Sequence, residues 1–269
     1  MSQQLKNKVV CVTGGARGIG KATAKLLASY GAEVWIGDID LTEAQHAVKE
    51  IGATTHAQQL DVTDPISFQN FLNAPQKPID MLVNNAGVMH TGAFHEISLD
   101  AHLREISIDL SGVTIGMRLV LPSMLERNEG HIVNVASMAG KLTLSGVATY
   151  NATKFGVVAL SRAVRNEIHH SKVSISTVLP SAVQTDLLSG ISTKWVPTLK
   201  PEDIAKTIVD SYFNKRPEIA VPRWANTLGI VEQLLPEKVF NALKRSIGGQ
   251  RLLSDVDQEA RSKYSKRSI

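Results

Sequence analysis

Thr13-Gly14-Gly15-Ala16-Arg17-Gly18-Ile19-Gly20 is the stretch from which the fold can be read. It follows a short β-rich run, Lys8–Thr13, and opens a helical pattern from Gly18 to Tyr30 carried by Ile19, Ala22, Leu26 and Leu27. Gly31 stands where a helix C-cap is expected. A helix that begins at a glycine turn points unpaired N–H groups and the positive end of its dipole at whatever lies beyond, which suits a pyrophosphate. Gly14 permits the tight turn, Gly18 a close backbone approach to phosphate, and Gly20 close packing of helix on strand. The spacing is G-x-x-x-G-x-G, not the commoner G-x-G-x-x-G. Its strength comes from its setting, between a strand and a helix at the start of a βαβ unit.

Outward from this turn the same alternation continues. The apolar run Glu33–Ile36 stops at Gly37-Asp38, and helix Thr42–Ile51 and strand Thr54–Leu60 lead to Asp61. A short helix begins at Asp64-Pro65, where Asp caps and Pro fits the first turn. Strand Ile79–Val83 enters Asn84-Asn85-Ala86-Gly87, and a long helix follows over Leu99–Arg127. Strand His131–Ala136 ends at Ser137, helix Ala148–His170 comes next, and strand Val173–Leu179 is stopped by Pro180. Strands alternating with helices predict an α/β fold, a Rossmann-type doubly wound parallel sheet with helices on both faces. Residues 1–222 are read as one dinucleotide-binding catalytic domain, and 223–269 as a C-terminal helical extension with a basic tail packed on it. Segment Asp186–Lys200 reads as a loop after a strand end, either a lid over a substrate or a surface connection.

Asp38 ends the second strand, eighteen residues after Gly20. A carboxylate there accepts the two ribose hydroxyls of adenosine and repels a 2′-phosphate, so the dinucleotide expected is NAD, although Arg17 could in principle meet such a phosphate. Gly14, Arg17, Gly18, Ile19, Gly20 and Asp38 are the candidate cofactor contacts of this half.

The second constellation is Tyr150-Asn151-Ala152-Thr153-Lys154, with Ser137 thirteen residues before Tyr150. Positions i and i+4 of a helix share a face, so Tyr150 and Lys154 point the same way. A phenol has an ordinary pKa of about 10, and a neighbouring ammonium favours the phenolate. Ser137 is a neutral donor and acceptor able to hold a substrate oxygen beside it. This is acid–base chemistry for an alcohol or ketone, although a helical Tyr/Lys pair by itself is usually a ring beside a solvated charge.

Taken together the glycine turn, Asp61-Val62, Asn84-Asn85-Ala86-Gly87, Ser137 and Tyr150-x-x-x-Lys154, in that order, resemble the typical single-domain short-chain dehydrogenases/reductases over about Lys8–Thr185. The resemblance implies hydride transfer between NAD(H) and a secondary alcohol or ketone. It places Asp61 and Val62 at the adenine, Asn85, Ala86 and Gly87 along the cofactor channel, and Tyr150 and Lys154 at the nicotinamide ribose. Pro180, Val183 and Thr185 would meet the carboxamide and pyrophosphate. It also implies a homodimer or homotetramer built on the two long helices. Two positions depart from the family pattern. Asp109, in Asp109-Leu110-Ser111-Gly112, stands where an asparagine is usual, and its charge is expected to weaken the pull of Lys154 on Tyr150. Ser181 replaces the usual glycine after Pro180, implying either a different turn or an added hydroxyl near the substrate.

Composition excludes other classes. Hydrophobic content of 43 % and charge of 20 % are those of a globular protein. The single cysteine, Cys11, lies in an apolar run and reads as a buried structural thiol, with a reducing compartment as the corollary. The N-terminal apolar run is too short for a signal-peptide core and no uncharged apolar run is bilayer-length, so a cytoplasmic location is expected. His90, His95, His102 and His131 lack metal-ligand spacing, and no metal site is expected; Met89 and His90 follow the Asn-Asn-Ala-Gly turn and would border a substrate. Residues 215–269 carry eleven Lys/Arg against six Asp/Glu. Three readings fit that extension: a cap or subunit contact, peripheral membrane attachment through Trp224, Leu228, Leu234, Leu235 and Phe240 beside Arg223, Lys238, Lys244 and Arg245, or a solvated tail. Nothing pairs a basic stripe with stacking aromatics, so nucleic acid is not an expected partner. Leu142, Leu144, Val147, Leu187, Leu188, Ile191 and Trp195 suggest an apolar substrate, steroid-, retinoid- or lipid-like. The alternative class is a regulatory protein that senses NAD on this scaffold with little turnover.

Overall fold

The computed structural model describes residues 5–191, 198–236, 238–239, 257 and 261. Seven parallel strands form one sheet: β1 (Val9–Thr13), β2 (Glu33–Asp38), β3 (Thr55–Gln59), β4 (Met81–Asn84), β5 (His131–Val135), β6 (Ser174–Pro180) and β7 (Glu218–Val221), in the order β3-β2-β1-β4-β5-β6-β7. β1, β4 and β5 are buried along their whole length, which is why they are written almost entirely in apolar residues. Register aligns Val12 with Ile36 on one side and Val83 on the other.

Helices cover both faces. α1 (Gly18–Ser29), α2 (Leu41–Ile51) and α7 (Pro201–Asn214) pack on one through Leu27, Ala44, Ala47, Ile204 and Ile208. α3 (Pro65–Asn73), α5 (Gly112–Glu126) and α6 (Ala148–Glu167) pack on the other through Phe68, Phe71, Met117, Val120, Val157 and Val158. Fully burying each such large apolar side chain is worth about 1.5–3 kcal/mol. Caps follow the sequence: Asp64 Oδ1 accepts from Ile66 N at 2.9 Å ahead of Pro65, and Asp40 Oδ1 from Glu43 N at 3.0 Å.

The sheet grows in opposite directions from β1 and β4, so the crevice outside their carboxyl ends is the place where ligands bind in such folds. The glycine turn, the Asn84–Gly87 turn, Ser137 and the loop after β6 all lie at that edge.

Three expectations need correction. The helix from Leu99 is not uniform: α4 (Leu99–Ile106) joins α5 through a π-turn at Ser107–Ser111, an insertion that re-aims the residues it contains. The helix carrying Tyr150 ends at Glu167, not His170. α7 and β7 occupy a stretch assigned no element by the sequence pattern, although Pro201 and Asp203 mark a helix start. The unit Leu99–Glu126 is long and apolar enough to cross a bilayer by composition, yet Val113, Met117, Val120 and Met124 hold it against the sheet. α8 (Ala225–Leu234) packs Ala225 into the core, while Trp224, Leu228 and Leu234 are exposed. The expected helix beyond Val239, the basic tail apart from Arg261, and Trp195 lie outside the described residues.

Candidate active site

The glycine turn is closed by its own backbone. Gly14 has φ +61°, and at Gly20 a Cβ would stand 2.1 Å from the Gly14 carbonyl oxygen, so neither position accepts a side chain. Gly20 is therefore required by the turn's own closure, not by helix-on-strand packing as the pattern suggested. Asn85 Nδ2 ties the turn to the neighbouring strand end by donating to the carbonyls of Thr13 and Gly14, both at 3.0 Å. Thr13 Oγ1 accepts the backbone N–H groups of Asn85 and Ala86, each at 3.0 Å. Thr185, from the loop after β6, lies against Gly18 on the other side. Ile19 is half-buried and packs on the core of this face.

Asp38 is positioned by accepting Ala16 N at 3.1 Å and Asp40 N at 3.2 Å, one on each oxygen. A carboxylate has about four lone-pair sites, so two remain for ribose hydroxyls. Burial raises its pKa, which the Ala16 and Asp40 N–H groups and the Arg17 charge oppose. Arg17 does not stand ready for a phosphate: its guanidinium is 2.9 Å from Asp40 Oδ2 and 3.7 Å from Glu43 Oε1. These three, with Asp186, line a cleft of about 510 Å³. Asp61 spends one oxygen on the N–H and hydroxyl of Thr63, and Val62 packs against Gly112. The cradle fits a dinucleotide: a turn whose glycines carry no side chains, a helix N-terminus, and a carboxylate at the next strand end.

Tyr150, Lys154 and Ser137 come together at the neighbouring strand ends. Tyr150 is 7 % exposed, Ser137 favours its phenolate, and Ser137 Oγ accepts Ala139 N at 3.1 Å and donates to the Pro180 carbonyl at 3.5 Å. Lys154 Nζ lies 5.3 Å from the phenol ring centroid. Asp109, turned inward by the π-turn and fully buried, sits 3.0 Å from Lys154 Nζ and accepts Val88 N at 2.8 Å. Gly87 runs beside both, since a Cβ there would be 3.3 Å from Asp109 Oδ1 and 3.4 Å from Lys154 Nζ. Burial raises the phenol pKa; Lys154 lowers it and Asp109 raises it again, leaving it above its ordinary value. For Lys154 burial is the largest influence and pulls downward, but Asp109, Tyr150 and Glu105 together outweigh it and the net direction is up. Removing the Asp109 charge should therefore lower the phenol pKa. Asp109→Asn is expected to move the pH–rate profile towards acid, and an unmoved profile would take Asp109 out of the reaction's electrostatics.

The apolar side of the site is a small cluster of Met89, Ala139, Val147, Tyr150 and Ile191, with Leu144, Leu187 and Leu188 packed on it. Leu142 is not in this cluster but packs on the main core. Val183 is buried and bridges to Leu199, and Pro180 ends β6. Ser181 needs no left-handed backbone, and its buried hydroxyl has no hydrogen-bond partner among the described residues. The histidines have structural duties: His131 bridges Ser174 and Ser211, and His102 bridges the Phe94 carbonyl and Thr149. Burial lowers His131 to about 3, which keeps it neutral.

Several residues at the site carried no sequence signal of their own. Glu105 is 1 % exposed and accepts His90 N at 2.9 Å. Arg261 is 5 % exposed, and its guanidinium donates to the carbonyls of Met89 and, at 2.8 Å, Leu187. An acid at i−4 from Asp109 was the available clue to Glu105; Arg261 offered none.

With this geometry in view, the sequence model of the family described as short chain dehydrogenase matches residues 8–195. The chain belongs to that family. Among curated relatives, the 2,5-dichloro-2,5-cyclohexadiene-1,4-diol dehydrogenase LinX of Sphingobium indicum is 32 % identical over 71 % of this chain and 79 % of its own length. The 3-alpha-(or 20-beta)-hydroxysteroid dehydrogenase of Mycobacterium bovis is 32 % identical over 77 % of each. A solved structure, the 3-ketoacyl-(acyl-carrier-protein) reductase of Brucella melitensis complexed with NADH, superposes with a TM-score of 0.75, 28 % identity, and coverage of 81 % of this chain and 98 % of that one. The Rossmann-type sheet and the oxidoreductase family expected from the sequence are thus both found.

Proposed function

We propose that this short-chain dehydrogenase uses NAD(H) to interconvert an apolar secondary alcohol and its ketone. The observation that carries the reading is the buried Tyr150 phenol, whose phenolate Ser137 and Lys154 both favour, with the Lys154 ammonium beside it and an apolar cluster around its ring. In the oxidative direction Ser137 holds the substrate oxygen and the Tyr150 phenolate takes its proton, while Lys154 stabilises that phenolate. The residues suited to hold a dinucleotide are Gly14, Gly18 and Gly20 at the pyrophosphate, Asp38 at the adenosine ribose, and Lys154 with Tyr150 at the far ribose. Bound there, the nicotinamide supplies the hydride acceptor or donor. Met89, Val147, Leu187 and Ile191 favour a steroid- or lipid-like carbon skeleton, and the hydroxysteroid dehydrogenase relative is consistent with that choice.

NAD over NADP rests on charge. Asp38, Asp40 and Glu43 surround Arg17, a setting that repels a 2′-phosphate. The NADH complex of the Brucella reductase agrees with this preference. In parallel thermal-shift titrations NAD is expected to stabilise the protein at concentrations where NADP does not, by about 2.7 kcal/mol at a hundredfold excess over Kd. Stronger stabilisation by NADP would overturn the assignment of Asp38.

A second reading, a NAD-sensing protein with little turnover, is favoured by one observation, the Asp109 carboxylate drawn against Lys154. Turnover with a panel of secondary alcohols decides between them. The exposed stripe Leu99, Leu103 and Ile106 on α4 favours a homo-oligomer using that helix. A cytoplasmic location is proposed from the buried free thiol of Cys11.

A further inference from the structure

Glu105 is a buried carboxyl that neither the fold nor the acid–base trio explains. It lies on α4 one turn before Asp109, and the two are 1 % and 0 % exposed. Among the described residues, His90 is the one basic side chain within 4.0 Å of it, with Nδ1 at 3.9 Å from Glu105 Oε1. The ammonium of Lys154 is committed to Asp109 at 3.0 Å. From the other elements, Tyr150 shares α6 with Lys154, and Arg261 reaches in from the C-terminal segment to the carbonyls of Met89, Leu187 and Ser189. His102 and Arg104 bear on His90 from α4 itself. Two carboxyls one turn apart, both out of water and served by one contacting cation, do not both ionise at low cost. Interacting acids of this kind titrate as a pair.

We propose that Asp109 and Glu105 hold one proton between them at neutral pH, mainly on Glu105, and that Glu105 is a positioning residue that sets how strongly Lys154 acts on Tyr150. Lys154 then faces one negative charge instead of two. Burial pushes the Glu105 carboxyl up to about 8, with the His90 N–H opposing it, the Asp109 charge adding to it, and Lys154 and Arg261 opposing it. Once that proton is lost, the second negative charge raises the phenol pKa further, so the acid–base trio weakens on the alkaline side.

The linkage to stability has a definite sign. Glu105 moves from an ordinary 4.5 to about 8 on folding, so the native state binds the extra proton through that window. Its contribution is fully present below pH 4.5 and is lost as pH rises through about 8.

Glu105→Gln tests this, because the amide oxygen still accepts His90 N while nothing titrates. Wild type should show the infrared C=O stretch of a protonated carboxyl at pH 6, vanishing with a midpoint near 8, and the variant should lack it. Denaturation of the ligand-free proteins should show wild type losing stability relative to the variant as pH rises from 4.5 to 8. These two measurements are independent of turnover. The third rests on the proposed acid–base role of Tyr150: in the variant the half-maximal pH for alcohol oxidation should move towards acid by about 1 unit. Absence of the band in wild type, or its survival in the variant, overturns the shared proton, and so does a pH-independent stability difference. An unmoved rate profile in a variant that has lost the band overturns the coupling to Tyr150. If the variant does not fold, the wild-type infrared titration decides alone. If the band and stability behave as stated but Tyr150→Phe still turns over, the function reading fails and the proton pair stands.

Discussion

Tyr150→Phe is expected to lower kcat for alcohol oxidation by about 10²–10⁴-fold and to leave dinucleotide binding nearly unchanged. The phenolate is favoured by Lys154 and Ser137, and the ring is held by Met89, Val147 and Ile191. Phenylalanine keeps that packing and removes the hydroxyl that takes the substrate proton. The loss should fall on kcat, because a group that works in the transition state contributes little to ground-state binding. Steady-state kinetics with the NAD-titrated variant checks this. Turnover within a few-fold of wild type would end the assignment of Tyr150, while a variant that no longer binds dinucleotide would make the residue structural.

The second large effect concerns Lys154. It is 4 % exposed and paired with a fully buried Asp109. Lys154→Met removes the cation and strands the carboxylate, and breaking a buried pair from one side costs about 3–5 kcal/mol. Turnover should fall with it, since Lys154 is the stronger of the two groups, with Ser137, that favour the Tyr150 phenolate. The stability loss should depend on pH. Without Lys154 the Asp109 pKa rises further above its unfolded value, so the folded variant gains a proton that the unfolded chain releases. That proton restores stability at low pH, and the benefit is lost as pH rises through the raised value. Denaturant melts at pH 5 and pH 8 should show the larger deficit at pH 8. Adding Asp109→Leu to Lys154→Met should recover most of the stability and none of the activity. An equal deficit at both pH values would mean that Asp109 is not carrying charge against Lys154.

What the sequence made legible was whatever short-range spacing dictates. Gly14, Gly18 and Gly20 lie within one turn, Asp38 ends the next strand, and Tyr150 and Lys154 share one face of a helix. The alternation of apolar runs and amphipathic stretches gave the order of elements through β6. α7 and β7 were not legible in it, although the Pro201 start was readable, because β7 is only four residues long and α7 follows a stretch that reads as a loop. Membership of the short-chain dehydrogenase family agrees with the motif order, which no single motif would have established.

The electrostatics at the site came from the packed chain alone. Asp109 was visible as a departure, but its distance from Lys154 depends on a π-turn that shifts the helix register by one residue. Arg17 looked free in sequence and is claimed by Asp40 and Glu43 once α2 folds back beside the turn. Local chain geometry fixes which side chains share a turn or a face, so the glycine cradle and the Tyr150–Lys154 pair could be read directly. Which charges lose their water, and which partner each then finds, is decided only when distant segments close over one another, as at Glu105 and Arg261.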